Sequence, residues 1–96
     1  MYRHGDLLIE KIESIPESAK PKDDNIIVYG TTTGHAHKLF NGTVMEENGN
    51  IYLHVWGAGS VTHEEHNTIE LPEGNYQVIR QIEYNPYLRV TRQVAD

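Results

Sequence analysis

The chain has 96 residues, with 14 Asp+Glu against 8 Lys+Arg, six histidines and no cysteine. That length suits a single domain with a modest core, and the missing cysteines exclude a disulfide framework and a thiolate metal site. The acidic balance argues against non-specific duplex DNA binding, which relies on phosphate neutralisation by Lys and Arg.

The first residues, Met1-Tyr2-Arg3-His4-Gly5-Asp6, lack an apolar leader core, and the apolar runs are only a few residues long. The expectation is a cytoplasmic protein with no signal peptide and no membrane contact.

In chain order, Asp6 to about Glu13 reads as the first strand. Residues 14–25 carry two prolines among polar residues and read as a loop. Ile26 to Thr31 is a second strand, suited to a buried position. His35 to Phe40 is a third, and Asn41-Gly42 signals a two-residue hairpin because both residues tolerate positive φ. Thr43 to Glu46 would be the return strand. Asn48-Gly49 signals a further hairpin, followed by Ile51 to Trp56. There Ile51, Leu53 and Val55 share one face, and Tyr52, His54 and Trp56 share the other.

Gly57-Ala58-Gly59 breaks the pattern, as a bulge or corner would. Val61 to about Leu71 is one bent strand or two short ones. Residues 72–75 form a turn, Tyr76 to Tyr84 is the longest strand, and Tyr87 to Val94 is the last. The fold class is therefore all-β: a small barrel or sandwich of about eight short, mainly antiparallel strands, spanning 1–96 as one domain.

Chemistry concentrates in the histidines. His35 and His37 lie two apart on a strand, so both imidazoles face one side and can chelate one ion. His63 and His66 are three apart. A strand would separate them, whereas a turn or a kink at Glu64-Glu65 would let them converge. The expected ligand set is His35 and His37 with His66, or else His63, holding a divalent ion such as Zn, Mn, Fe or Ni with an open position for water or substrate; Glu64 or Glu65 as an added ligand would favour Fe or Mn. His63, Glu64 and Glu65 are the proton-transfer candidates, since a carboxylate beside a metal-bound water can act as general base.

Tyr84 could donate to a substrate oxygen, and Glu83 could orient a ligand histidine. Thr33, Arg80 and Arg89 could contact an anionic, phosphorylated substrate. His4 and His54 read as solvated residues, and Asp6 as a turn-capping Asp rather than a catalytic one.

The ordered motifs Gly5-Asp6, Thr33-Gly34-His35-Ala36-His37, His63-Glu64-Glu65-His66, Leu71-Pro72-Glu73-Gly74-Asn75-Tyr76 and Gln81-Ile82-Glu83-Tyr84 resemble a small uncharacterised family of bacterial and phage proteins. That family has Arg before the Glu of the last motif, where Ile82 stands here. The resemblance spans nearly the whole chain. It implies a site without naming a reaction.

Gly30 to His37 also resembles the Gly-x-His-x-His opening of a cupin metal site, and Leu71-Pro72-Glu73-Gly74 its Pro-x-Gly turn. Tyr76 and Gln77 stand where the last cupin histidine would follow, so this is a likeness of architecture.

Three functions remain open. The first is a metal-dependent hydrolase acting on a small or phosphorylated molecule. The second is a metal-free phosphodiesterase or RNase-like enzyme using one histidine as base and another as acid. The third is a binding module with Tyr52 and Trp56 as an exposed contact patch. A homo-oligomer fits a barrel this small.

Overall fold

Period-two alternation of apolar side chains builds the core. The computed structural model describes residues 1–29, 35–80, 82–85 and 90–93, the last two segments by their backbone. Ten strands follow in order: β1 (Tyr2–His4), β2 (Leu7–Ile12), β3 (Lys20–Pro21), β4 (Ile26–Tyr29), β5 (Ala36–Glu47), β6 (Asn50–Thr62), β7 (Ile69–Leu71), β8 (Gly74–Arg80), β9 (Ile82–Asn85) and β10 (Val90–Gln93).

The first eight share one antiparallel sheet, ordered β1-β2-β8-β6-β5-β3, with β4 also on β5 and β7 also on β6; β9 and β10 pair separately. The fold is all-β, as the alternation predicts. The ladders among the described residues form an open path, with β1 at one end and β3 at the other. No helix among them is long and apolar enough to cross a membrane.

Leu7 and Ile9 of β2, Leu39 and Val44 of β5, Leu53, Val55 and Val61 of β6, and Tyr76 of β8 bury their side chains together. The Tyr76 hydroxyl is not left dry and unpaired: it donates to the Pro72 carbonyl at 2.6 Å.

Several elements differ from the sequence expectation. Asn41-Gly42 is not a hairpin. β5 runs straight through it, with a register shift between Phe40 and Gly42. Asn41 takes φ of 60°, while Gly42 is not among the positive-φ residues. One left-handed residue makes a bulge, whereas a type I′ hairpin needs two. The Asn41 amide fixes the bulge by donating to the Ala58 carbonyl at 2.9 Å. Opposite it, Gly57-Ala58-Gly59 is the expected irregularity, yet it stays within β6. Phe40 faces Ser60 and Gly42 faces Val55, so one residue of β5, Asn41, stands opposite residues 56–59 of β6.

Asn48-Gly49 is the hairpin predicted, both residues having positive φ and Glu47 facing Asn50. Tyr52 is 7% exposed, so the expected Tyr52–Trp56 surface patch is corrected to Trp56 alone, at 55%. Tyr52 sits between Met45 of β5 and Gln77 of β8 in the ladder, in the middle of the sheet.

The predicted loop at 14–25 contains β3, anchored to β5 through Lys20 facing Glu46. The expected first strand, Asp6 to about Glu13, is β2. β1 precedes it, and His4 faces Leu7 across a Gly5-Asp6 turn. Gly5 has φ of 62° and Asp6 an ordinary one, the arrangement of a II′ hairpin turn. That turn places His4 and Asp6 at the end of the sheet where β5 begins and β6 ends.

Candidate functional site

Five of the six histidines converge at that end. β1 supplies His4, the chain entering β5 supplies His35 (just before the strand) and His37 (within it), and the bend after β6 supplies His63 and His66. His63 and His66 do not continue a strand: the chain bends over residues 64–66 before β7. The kink allowed by the sequence brings their ring centroids to 4.4 Å. His37 lies 4.5 Å from His63 and 4.9 Å from His4. His35 lies 5.6 Å from His63.

The outer part of the pocket is partly exposed. His35, His63 and Glu64 each offer a ligand atom, and these atoms all lie within 4.8 Å of one another, a spacing that can hold a metal ion. The sequence favours His35, His37 and His66 as ligands with His63 and Glu64 as proton-transfer groups, and offers His63 and Glu64 as ligands only in second place. Glu64 accepts from the Ala36 N–H at 3.0 Å. Its own backbone N–H, then that of Ala36, hold the carboxyl below its ordinary value against some desolvation, and His35 and His63 add to this. Glu65 stands 3.7 Å from His35 Nδ1. The Glu65 N–H donates to His63 Nδ1 at 2.9 Å, which places the proton of a neutral His63 ring on Nε2.

The inner part is dry. His4 is 2% exposed, Asp6 1% and His37 0%. Reading His4 as a solvated residue, and Asp6 as a simple turn cap, is therefore corrected. His4 Nε2 donates to the Asn67 carbonyl at 2.9 Å. A carbonyl can only accept, so the Nδ1 of a neutral His4 accepts in turn from His37 Nδ1–H at 2.8 Å. Burial is the main force holding both rings neutral. It carries His37 down to about 4 from 6.5, helped by His4, His63 and His66 and opposed by Asp6. His4 is lowered by the same desolvation, against the raising effect of the Asn67 carbonyl.

Arg80 Nε binds Asp6 Oδ2 at 3.0 Å, and its Nη2 donates to the Tyr29 carbonyl at 3.0 Å. Its guanidinium thus serves the protein's own carboxylate. His54 lies outside the cluster, hydrogen-bonded to Asn75 on the exposed face, where a solvated residue is expected. Thr33 and Arg89 lie outside the described residues, as do the side chains of Glu83 and Tyr84.

Gly5 makes the close packing possible. A Cβ there would lie 2.6 Å from His66 Nε2 and 3.2 Å from His37 Cε1. Gly5→Ala is expected to cost about 1–2 kcal/mol from left-handed strain alone, and to push His66 away. Urea unfolding and the His66 imidazole NMR signals check this. An Ala variant with wild-type stability and unshifted His66 resonances would contradict it.

A depression of about 230 Å³ adjoins the outer residues, lined by Ala36, Lys38, Thr62, His63 and Glu64. Sequence reasoning missed Lys38, which gave no motif signal. It also missed His4 and Asp6, although Gly5-Asp6 between Tyr2-Arg3-His4 and Leu7-Leu8-Ile9 carries a hairpin signal that would have placed them.

A family model described as Domain of unknown function (DUF8820) matches residues 3–81. The chain belongs to this family. The DUF8820 match contains all five clustered histidines, Asp6, Glu64 and Arg80, consistent with the likeness to an uncharacterised family. Comparison with curated proteins and with solved structures gave no match.

Proposed function

We propose that the outer residues His35, His63 and Glu64 hold a divalent transition-metal ion, and that the protein is a metal-dependent hydrolase of a small anionic substrate. The carrying observation is the mutual spacing of those three ligand atoms, within 4.8 Å. Imidazole and carboxylate donors suit Zn, Mn, Fe or Ni. The ion would supply Lewis acidity and a more acidic bound water. Glu65, beside His35, would take the proton from that water as its oxygen attacks the scissile phosphorus or carbonyl carbon. Glu65 would then return that proton to the leaving oxygen as its bond breaks. Lys38 at the rim favours a phosphate or carboxylate group on the substrate.

Loading the ion at His63 must displace either the Nε2 proton or the turn hydrogen bond at Nδ1, so binding is expected to release protons or move the 64–66 bend. That same Nε2 proton favours a second reading, in which His63 acts as general acid in metal-free phosphodiester cleavage.

Elemental analysis of the protein made without a histidine tag tests the first reading. Bound transition metal is expected, reduced in the His35→Ala/Glu64→Ala double variant. Hydrolysis of a phosphate-ester panel should stop in chelator and return with added ion. Lys38→Gln should keep the metal and raise KM by roughly five- to tenfold, the scale of one partly solvated charge contact. No metal after reconstitution would sink this reading, and activity persisting in chelator would establish the second.

A further inference from the structure

The inner side chains present a contradiction that an added cation resolves. The Asn67 carbonyl fixes the proton of His4 on Nε2, and His4 in turn fixes that of a neutral His37 on Nδ1. The Nε2 lone pair of such a His37 then faces Asp6 Oδ1 at 3.4 Å. Both atoms are buried, and neither has a hydrogen-bond partner; His66 Nε2 is a third such atom. Two buried acceptors at that range repel, and each lacks the partner that buried polar groups ordinarily find.

The spacing is instead that of two ligands on one ion. Ligand atoms at about 2.0–2.1 Å from a tetrahedral zinc stand roughly 3.3–3.4 Å apart. The surroundings fit a ligand pair as well. Metal-binding histidines commonly donate their other ring N–H to an acceptor, which His37 does through Nδ1 to His4. Ligating carboxylates are commonly held by hydrogen bonds on the remaining oxygen, which Arg80 provides at Asp6 Oδ2. Gly5 lets the rings come close, since a Cβ there would stand 2.6 Å from His66 Nε2 and 3.2 Å from His37 Cε1.

We propose that Asp6 and His37 form a second divalent-cation subsite behind the outer one. His4 is its positioning residue, locking the His37 tautomer. The two subsites adjoin, since the inner His37 and outer His63 rings lie 4.5 Å apart. As a two-ion centre the arrangement rests on the reading given under Proposed function; the inner subsite by itself does not. Paired ions of this kind clamp the attacking and leaving oxygens of a phosphoryl group, so the substrate class becomes phosphate esters.

The experiment is zinc titration followed to saturation, with bound ion counted per chain. It is run on the wild type, Asp6→Asn and the His35→Gln/Glu64→Gln pair, each with a circular dichroism check of folding. Two ions in the wild type and one in each variant are expected. One ion in the wild type, kept in Asp6→Asn and lost in the outer pair, overturns the inner subsite. It leaves the outer reading intact and makes Asp6–His37 an ordinary ion pair. One ion lost in Asp6→Asn but kept in the outer pair supports the inner subsite and overturns the outer reading. No binding anywhere overturns both.

Should Asp6→Asn fail to fold, the manganese-saturated wild type decides. An exchange-coupled EPR spectrum of two neighbouring Mn²⁺ ions supports the proposal, and a six-line spectrum of isolated ions overturns it.

Discussion

Asp6→Ala is expected to lower the unfolding free energy by about 3 kcal/mol, the low end of the cost of breaking a buried charge pair. Asp6 is fully dry and Arg80 mostly so, with side-chain exposures of 0% and 21%. Removing the carboxylate leaves the guanidinium with one carbonyl partner, Tyr29. The residual exposure lets water soften the loss, which is why the low end applies. Urea unfolding measures the effect. The Asp6→Ala/Arg80→Leu double variant should recover most of it, because no unpaired charge remains. A single variant within about 0.5 kcal/mol of wild type, the usual range of an inconsequential surface change, would mean that the pair contributes nothing.

Acid is expected to destabilise protein dialysed against chelator, chiefly through His37. Its folded value is about 4 against 6.5 for an ordinary histidine. Between those values the unfolded chain binds a proton that the folded chain refuses, so stability falls as pH falls. The contribution is fully present above about pH 6.5 and lost by about pH 4, and amounts to roughly 3 kcal/mol at one pH unit per 1.36 kcal/mol. The groups facing His37 are His4, His63, His66 and Asp6, with Arg80 behind the last. His4 is lowered too and adds in the same direction. Glu64, held below its ordinary 4.5, adds a further loss at lower pH.

Thermal melts from pH 7.5 to 4.5 should show a steady drop. His37→Gln, with no ring to protonate, should flatten it. A wild-type curve that stays level from pH 7 to 5 would show that His37 is not held neutral. Bound divalent ion should raise stability near neutrality and steepen the acid loss, because protons compete for the same nitrogens.

The strands were legible where one face is buried. In β2 and β6 the apolar residues alternate, and Leu7, Ile9, Leu53 and Val55 all lie fully inside. Asn48-Gly49 was legible because its two positive φ angles suit only a few residues. Asn41-Gly42 misled for the same reason: a bulge and a hairpin draw on the same residues, and only the partner strand decides between them. β1 and β3 are three and two residues long, too short for a period to show.

The site divides along the same line. By itself the sequence determined the all-β class, the facing of His35 and His37 toward one side, and the pairing of acids with His63 and His66. Those properties follow from local periodicity and residue chemistry. Only the tertiary structure decided that His4 and Asp6 belong with them, that Arg80 answers Asp6, and that the 64–66 bend closes His63 onto His66. The contacts that hold His4 and orient His37 come from Asn67 and from His4 itself, 63 and 33 positions away along the chain. No local pattern carries a hydrogen bond across such a separation; it exists only once the sheet has brought those strands to one end.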